Sequence, residues 1–330
     1  MAEGLYFPAP EGGGDEISIY SSIDAQIVGP LVAGFQSIHP DIAVRYDDLL
    51  TGEVAARVIS ETDHGSETAD LAISSAMDLQ VKLANDGYAL PLALDLPDNL
   101  PPWAAWRDTA FALTLEPAVI AYHRPSFPDG PPESRAALLD WVHAQGQGRI
   151  GSYDITRAGV GFLFLMRDQE HFADIWRLVA AMGEAGLVTY PTSREVIEAV
   201  ATGELALGYN ILGSYALGRA ESLPDLGIAL PRDFIVAVSR VAIVPRAARN
   251  PAGGAAFLQY LLSPAGQAVM AAHLHLPPLV PDGAGDTPAA RLILEAGERL
   301  RPVPVSPGLL AYNDQSRRNR FLSLWYNALE

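Results

Sequence analysis

Along this chain, short apolar runs of strand length alternate with longer stretches whose apolar residues recur at helical spacing. The run Ile17-Ser-Ile-Tyr20 leads through the polar pair Ser21-Ser22 into an apolar-periodic stretch, Asp24–Ile38, that stops at His39-Pro40. The pattern predicts a buried strand, a short polar loop and an amphipathic helix whose first turn carries hydroxyls. Such a helix start offers unpaired N–H groups and the positive end of a dipole, and so can hold an anion. The arrangement recurs at Asp70-Leu-Ala-Ile-Ser-Ser-Ala-Met-Asp78. Two strand–Ser-Ser–helix units near the start of an α/β chain point to a ligand cleft at the carboxyl ends of strands.

The alternation continues. Ile42–Tyr46 and Leu71–Ile73 read as strands, Gly52–Glu61 and Met77–Asn85 as helices, the second ended by Gly87. After a Pro-rich, Trp-bearing segment, Leu94–Trp106, come the strands Phe111–Thr114 and Ala118–Tyr122. Arg124–Ser134, with four prolines, reads as a surface loop. Arg149–Tyr153 and Leu205–Asn210 are expected strands; Gly159–Met166 and Ile175–Met182 are expected helices. Thr192-Ser-Arg-Glu195 is a capping-box pattern opening a helix to about Thr202. Phe234–Val244 reads as one long apolar strand before the helix Pro251–Leu262, a Pro-rich segment Pro277–Pro288 and a last helix holding Asp314, Arg317, Arg318, Phe321 and Trp325. Alternation of this kind predicts an α/β fold with mainly parallel sheets covered by helices. One such set precedes about residue 117, a second spans about 118–235, and residues 2 to 14, rich in Gly and Pro, read as a flexible arm.

Composition narrows the classes. With 330 residues, 49% hydrophobic and 18% charged, the chain is long enough for two well-buried domains. A formal net charge of −17 argues against nucleic acid or an anionic membrane as a partner, though not against a small anion held by local dipoles. The absence of cysteine excludes disulfides, thiol catalysis and Cys-based metal sites. No apolar run approaches the ~20 residues of a membrane span. Met1-Ala-Glu-Gly-Leu has neither a basic nor an apolar leader region, which suits either a cytoplasmic protein or a chain starting at a mature terminus with Met1 added.

Several motifs resemble a known family. Tyr20-Ser-Ser, a helix, His39-Pro40-Asp41-Ile42-Ala43-Val44 and Thr51-Gly52-Glu53 are similar to bacterial extracytoplasmic solute-binding proteins of the type II class. So are Ala69-Asp-Leu-Ala-Ile-Ser-Ser75, Asn85-Asp-Gly-Tyr-Ala-Leu-Pro91, Gly203-Glu-Leu-Ala-Leu-Gly-Tyr-Asn210 and Phe257-Leu-Gln-Tyr-Leu-Leu-Ser-Pro-Ala-Gly-Gln267. Tyr153-Asp-Ile-Thr-Arg-Ala-Gly-Val-Gly161 and Tyr209-Asn-Ile-Leu-Gly-Ser-Tyr215 resemble the ferric-ion and phosphosugar-binding branch, in its hexose-phosphate-binding and phosphoglycerate-regulatory members. The resemblance implies a type II periplasmic-binding-protein-like fold of two α/β lobes joined by a two-strand hinge. Residues 15–117 would begin lobe 1 and 118–235 form lobe 2; 236–330 would hold the hinge return, the rest of lobe 1 and the C-terminal helices. It also implies a periplasmic monomer, its signal peptide absent from this sequence, that serves an ABC permease or, in the receptor alternative, a sensor histidine kinase. Iron-binding members carry two adjacent tyrosines just after the Asn that here is Asn210. This chain has Leu212-Gly213-Ser214 there, with only Tyr215 nearby, so the phenolate pair a hard trivalent cation needs is missing and no metal site is expected.

The residues expected to touch a solute follow from both lines. Ser21, Ser22, Ser74 and Ser75 would donate to an anion, or merely cap helices; Thr51 and Gly52 sit between a strand and a helix, where Gly permits close approach. Asp154, Thr156 and Arg157, with Gly159, Val160 and Gly161, would bring the second lobe to the ligand. Arg157 is the cationic fork, and Gly-Val-Gly the source of exposed amides. Thr192 and Ser193 stand at another helix start, where capping alone would explain them. Asn210 and Tyr215 would read a polar body such as a sugar hydroxyl. His273-Leu-His275 lacks a third ligand and the Arg317-Arg318 pair reads as a solvated helix face. The expected function is capture of a small anionic organic solute, by preference a phosphorylated one, with a carboxylate as the alternative. No catalytic residue or cofactor is expected. Neither Gly-x-Ser-x-Gly, His-Glu-x-x-His, a P-loop nor a dinucleotide fingerprint is present, so hydrolysis of a phosphate ester has no motif behind it.

Overall fold

Two mixed sheets with helices over them make up the computed structural model of this chain, which describes residues 4–145, 147–280 and 285–329. In chain order the first part holds β1 (Leu5–Phe7), β2 (Asp15–Ser21), α1 (Gly29–Gln36), β3 (Ile42–Asp48), α2 (Thr51–Asp63), β4 (Leu71–Ser74), α3 (Met77–Asn85), β5 (Ala105–Trp106) and β6 (Ala110–Ala112). Next come β7 (Glu116–His123), α4 (Arg135–Gln145), β8 (Ile150–Tyr153), α5 (Gly159–His171), α6 (Ile175–Glu184), β9 (Val188–Tyr190), α7 (Ser193–Ala201), β10 (Leu207–Leu212), α8 (Gly213–Ala220), β11 (Leu226–Ala229) and β12 (Ile235–Val238). The remainder holds β13 (Val241–Ile243), α9 (Pro251–Leu262), α10 (Pro264–His273), α11 (Pro288–Ala296), β14 (Leu300–Pro302) and α12 (Gln315–Leu329). Among the described residues no helix is long and apolar enough to cross a membrane.

The chain divides into two units, each assembled from three segments. Unit 1 takes the chain up to Leu115, with Ser239–Arg291 and Val303–Ala311; unit 2 takes Glu116–Val238, Leu292–Pro302 and the chain from Tyr312 on. Glu116 pairs with Val238 across the β7–β12 ladder, so the first outgoing strand and the first returning one run side by side.

Unit 1 has the sheet order β1-β3-β2-β4-β13-β6-β5. Its helix-connected strands β2, β3 and β4 are parallel, as crossovers demand, while β1, β13, β6 and β5 join antiparallel. Unit 2 repeats the theme: β8, β9 and β10 are parallel, and β7, the strand entering from unit 1, is antiparallel to β10, β11 and β12. The expectation of mainly parallel sheets is therefore corrected to mixed ones. Strands β1 and β5, which lead into β2 and β6 without a helix, run opposite to them, and β7 runs against β10 within its sheet.

Other local differences have physical causes. Leu5–Phe7, expected in a flexible arm, pairs with β3 as an edge strand. The expected helix from Asp24 begins only at Gly29, with Pro30 in its first turn. Ile23 and Val28 are buried in the turn before it and prolong the apolar rhythm without helical backbone. The apolar run Phe234–Val244 breaks at Ser239-Arg240 into β12 and β13, which belong to different sheets. His275 has φ +55 beyond the end of α10, so His273 and His275 do not share a strand face. Arg318 is not simply solvated, because its guanidinium lies 4.3 Å over the Phe162 ring.

Packing fixes the strand ends in place. In unit 1 the buried Asp70 carboxylate accepts the Ser18 N–H at 2.7 Å and the Asn250 N–H at 2.6 Å, tying β2, β4 and the start of α9. A Cβ on Gly254 would stand 2.0 Å from the Asp70 carbonyl oxygen, so this helix lies on the sheet because it has no side chain there. In unit 2, α5 is buried nearly all round, with Phe162, Leu163, Phe164 and Leu165 inside. Phe321 of α12 closes over it, 5.4 Å edge-on from Phe162 and 5.0 Å from Trp176.

Candidate functional site

In unit 1 the adjacent carboxyl ends of β2, β3 and β4 bring together Ser21, Ser22, Thr51, Gly52, Ser74 and Ser75. Ser21 and Ser22 do not cap α1, which starts only at Gly29 with Val28 as its cap. The Ser21 hydroxyl instead accepts the Ile23 N–H at 3.0 Å, and the Ser22 hydroxyl accepts the Ser75 N–H at 3.2 Å. Ser74 accepts the Ala76 N–H at 3.1 Å just before α3. The two Ser-Ser pairs thus brace each other across the strand ends. Thr51 is the first residue of α2, and the Glu53 carboxylate accepts the Leu50 N–H at 2.9 Å. One strand residue earlier, Tyr20 donates to Glu61 at 3.1 Å beneath the Arg57 guanidinium. Burial first, and the Glu61 charge second, push its pKa up to about 12.

The cation at this end is one the sequence reading missed. Arg240 is 1% exposed; its Nη1 donates to the Ser22 carbonyl at 3.0 Å, and its N–H donates to Thr114 Oγ1 at 2.9 Å. Its signal was present: an Arg inside an apolar run must be partnered if that run is buried.

In unit 2 the carboxyl ends of β8, β9 and β10 carry Asp154, Thr192-Ser193 and Leu212-Gly213. Asp154 Oδ1 accepts both the Thr156 N–H at 2.9 Å and the Thr156 hydroxyl at 2.6 Å, forming an Asx turn. Arg157 follows it, exposed, two residues before α5 begins. Gly159, Val160 and Gly161 are the first turn of α5, as the expected helix from Gly159 requires, and its cap residue Ala158 makes no side-chain cap bond. Gly161 is required by packing, since a Cβ there would stand 2.3 Å from Tyr153 Cβ. Thr192 caps α7 as expected: its hydroxyl accepts the Glu195 N–H at 3.3 Å and donates to the Glu195 carboxylate at 2.6 Å. The Ser193 hydroxyl is buried 2.6 Å from the Tyr153 hydroxyl. Tyr215 sits half-buried in the first turn of α8.

Asn210 departs furthest from expectation. It is 5% exposed and its Nδ2 donates to Asp168 Oδ2 at 2.6 Å, inside a buried cluster with Tyr209 and Arg135. Sequence reasoning passed over Asp168 and Arg135. For Asp168 the signal was a carboxylate on the apolar face of α5, in line with Gly161 and Phe164.

A family model described as bacterial extracellular solute-binding protein matches residues 17–273. No curated protein matches the chain. Among solved structures, the substrate-binding protein of an ABC transporter from Agrobacterium tumefaciens is 49% identical, with a TM-score of 0.94 over 100% of this chain and 99% of that one. The apo ferric ion-binding protein A of Pasteurella haemolytica is 15% identical with a TM-score of 0.75, covering 96% of this chain and 98% of its own. The periplasmic binding protein AfuA of Actinobacillus pleuropneumoniae is 14% identical with a TM-score of 0.76, covering 96% and 99%. The last two share the fold. Mixed sheets whose parallel strands end in hydroxyl-bearing turns, a family match across most of the length and a relative alike from end to end lead to one assignment: the chain belongs to the bacterial extracellular solute-binding proteins.

Proposed function

We propose that this protein is the periplasmic solute-binding component of an ABC importer. Its solute would be a small organic anion, a phosphorylated sugar or related organophosphate in preference to a carboxylate. The transport role is carried by the 49% identity, over the whole chain, to the Agrobacterium tumefaciens substrate-binding protein. The preference for an anion is supported by the mouth of α5. There the exposed Arg157 precedes a helix start with no side-chain cap, so a cation and free helix-end N–H groups occupy one corner of unit 2. The fold accommodates such a solute elsewhere, since AfuA was crystallised with fructose-6-phosphate bound.

In this reading Arg157 and the amides of Gly159 and Val160 neutralise the anion. Within the same unit Tyr215, in the first turn of α8, meets the polar body, while in unit 1 Ser22, Thr51 and Ser75 place hydroxyl groups past the ends of β2, β3 and β4. Selectivity then comes from hydrogen bonds that a wrong solute leaves unmade, each costing about 1–3 kcal/mol at a buried group. The role is capture and release, delivered to a membrane permease.

A thermal-shift screen tests this with hexose phosphates, phosphoglycerates, di- and tricarboxylates and inorganic phosphate at one pH and salt. A solute at about 100 times its dissociation constant adds about 2.7 kcal/mol and raises the melting temperature. The expected result is a rise confined to phosphorylated compounds and lost in Arg157→Ala. A rise with carboxylates alone, or one that survives Arg157→Ala, overturns the phosphate assignment.

A further inference from the structure

Strand β10 carries one residue more than the strand it pairs with. Gly208 faces Ala121 and Ile211 faces Val119, three steps against two, so β10 bulges between them. At the bulge Asn210 has φ +59, a left-handed backbone that a side-chain hydrogen bond must help to hold.

That bond comes from the centre of unit 2. Neighbouring residues of a regular strand point to opposite faces. Here Tyr209 Oη and Asn210 Nδ2 both donate to Asp168 Oδ2, at 2.5 and 2.6 Å, which the left-handed turn makes possible. The other oxygen, Oδ1, accepts from Arg135 Nη2 at 2.7 Å. Arg135 is fixed in turn by Asp233 and the Phe234 carbonyl, both at 2.9 Å, and lies 3.6 Å over the Phe234 ring. Arg135 is 1% exposed and Asp168 0%. Burial raises the Tyr209 pKa well above the ordinary value, so its hydroxyl stays a donor. Burial opposes the Arg135 charge, but the Asp168 and Asp233 carboxylates bonded to it hold it charged.

A buried ion pair of this kind adds little stability over apolar packing of the same volume, so its value lies in the geometry it imposes. The geometry in question is the exit of β10. Leu212, two residues past Asn210, donates its N–H to the Tyr153 hydroxyl at 3.2 Å, and Gly213 then opens α8 with Tyr215 in its first turn. We propose that Asp168, held by Arg135, is a positioning residue for solute binding. It locks the bulge at Asn210 and so sets the phase in which β10 delivers the α8 corner. Asn210 serves this lock through its backbone and its bond to Asp168, not through contact with solute. The inference rests on the solute-binding reading above.

Two readouts separate the ideas. Amide hydrogen exchange, which needs no solute, should show residues 212–216 of Asp168→Asn exchanging at least about tenfold faster than in the parent while Gly151–Tyr153 stay unchanged. Titration calorimetry with fructose-6-phosphate, on protein verified as folded, should show Asp168→Asn binding at least about tenfold more weakly, and Asn210→Gly weakening binding only in step with faster exchange at 212–216. Tyr209→Phe, which deletes one donor, is the milder variant should Asp168→Asn not accumulate folded, and should move both readouts the same way. Unchanged exchange at 212–216 overturns the lock. Loss of binding in Asn210→Gly with unchanged exchange makes Asn210 a solute contact and overturns it too. Failure of the parent protein to bind fructose-6-phosphate counts against the solute reading alone, and the exchange result then decides the lock by itself.

Discussion

Tyrosine hydroxyls buried against carboxylates give this protein a pH limit on its alkaline side. Tyr20, beside Glu61, and Tyr312, which donates to Glu170, both have pKa values pushed up to about 12 from 10.0, by burial first. Below pH 10 both are neutral whether the chain is folded or not, and they cost nothing. Between pH 10 and 12 the unfolded chain releases these protons while the folded one keeps them, so stability falls as pH rises. We expect the melting temperature to hold up to about pH 9.5 and to drop steeply above pH 10, each tyrosine costing roughly 1–2 kcal/mol by pH 12 after allowance for solvent. Tyr20→Phe and Tyr312→Phe should flatten that drop in a melting series across pH. The same scale shows where sequence reading stopped. Ser22 and Ser75 were legible as hydroxyls at strand ends, because a polar pair closing an apolar run is a local signal, whereas the Ser75 N–H donated to Ser22 was not. The Asp168–Asn210 bond joins residues 42 positions apart and needs a left-handed backbone, and nothing local announces either.

Elements with a chemical marker at their ends were the legible ones. Met77–Asn85 and Pro251–Leu262 coincide with α3 and α9, each bounded by Gly, Pro or Asn chemistry, and the capping box at Thr192 opens α7 where its spacing places it. Thr192→Ala should therefore cost about 1 kcal/mol in a urea denaturation series with little change in slope, since one satisfied N–H is lost and the fold is kept. Elements defined by their neighbours were not legible. The edge strands β1 and β9 and the short β11 are exposed or brief, and exist because β3, β8 and β7 offer them open backbone. Helix α8 follows β10 with no intervening loop, so its start carries no turn signal. The run split into β12 and β13 is apolar throughout except at Ser239-Arg240, and those two residues mark the passage from unit 2 to unit 1.

At the scale of the molecule, neither unit is a continuous piece of chain, and composition cannot reveal that. Unit 2 is completed only by α12, whose Phe321 and Trp325 are each 4% exposed, Phe321 between Phe162 and Trp176. The crossing is tight, since a Cβ on Gly183 of α6 would stand 2.3 Å from the Ala328 carbonyl oxygen. Truncation before Gln315 should uncover that apolar face and cost several kcal/mol, in line with the ~3–5 kcal/mol of a single Phe or Trp removed from a core. The check is a calorimetric scan, in which a truncated chain that melts like the parent would refute the dependence. Synthesis runs from one end, and at roughly 5–20 residues per second Phe321 follows Phe162 out of the ribosome on the order of 10 s later. During that interval the nascent chain lacks the piece that closes unit 2, so the apolar face of α5 and α6 stays open until the last residues of the chain have been made.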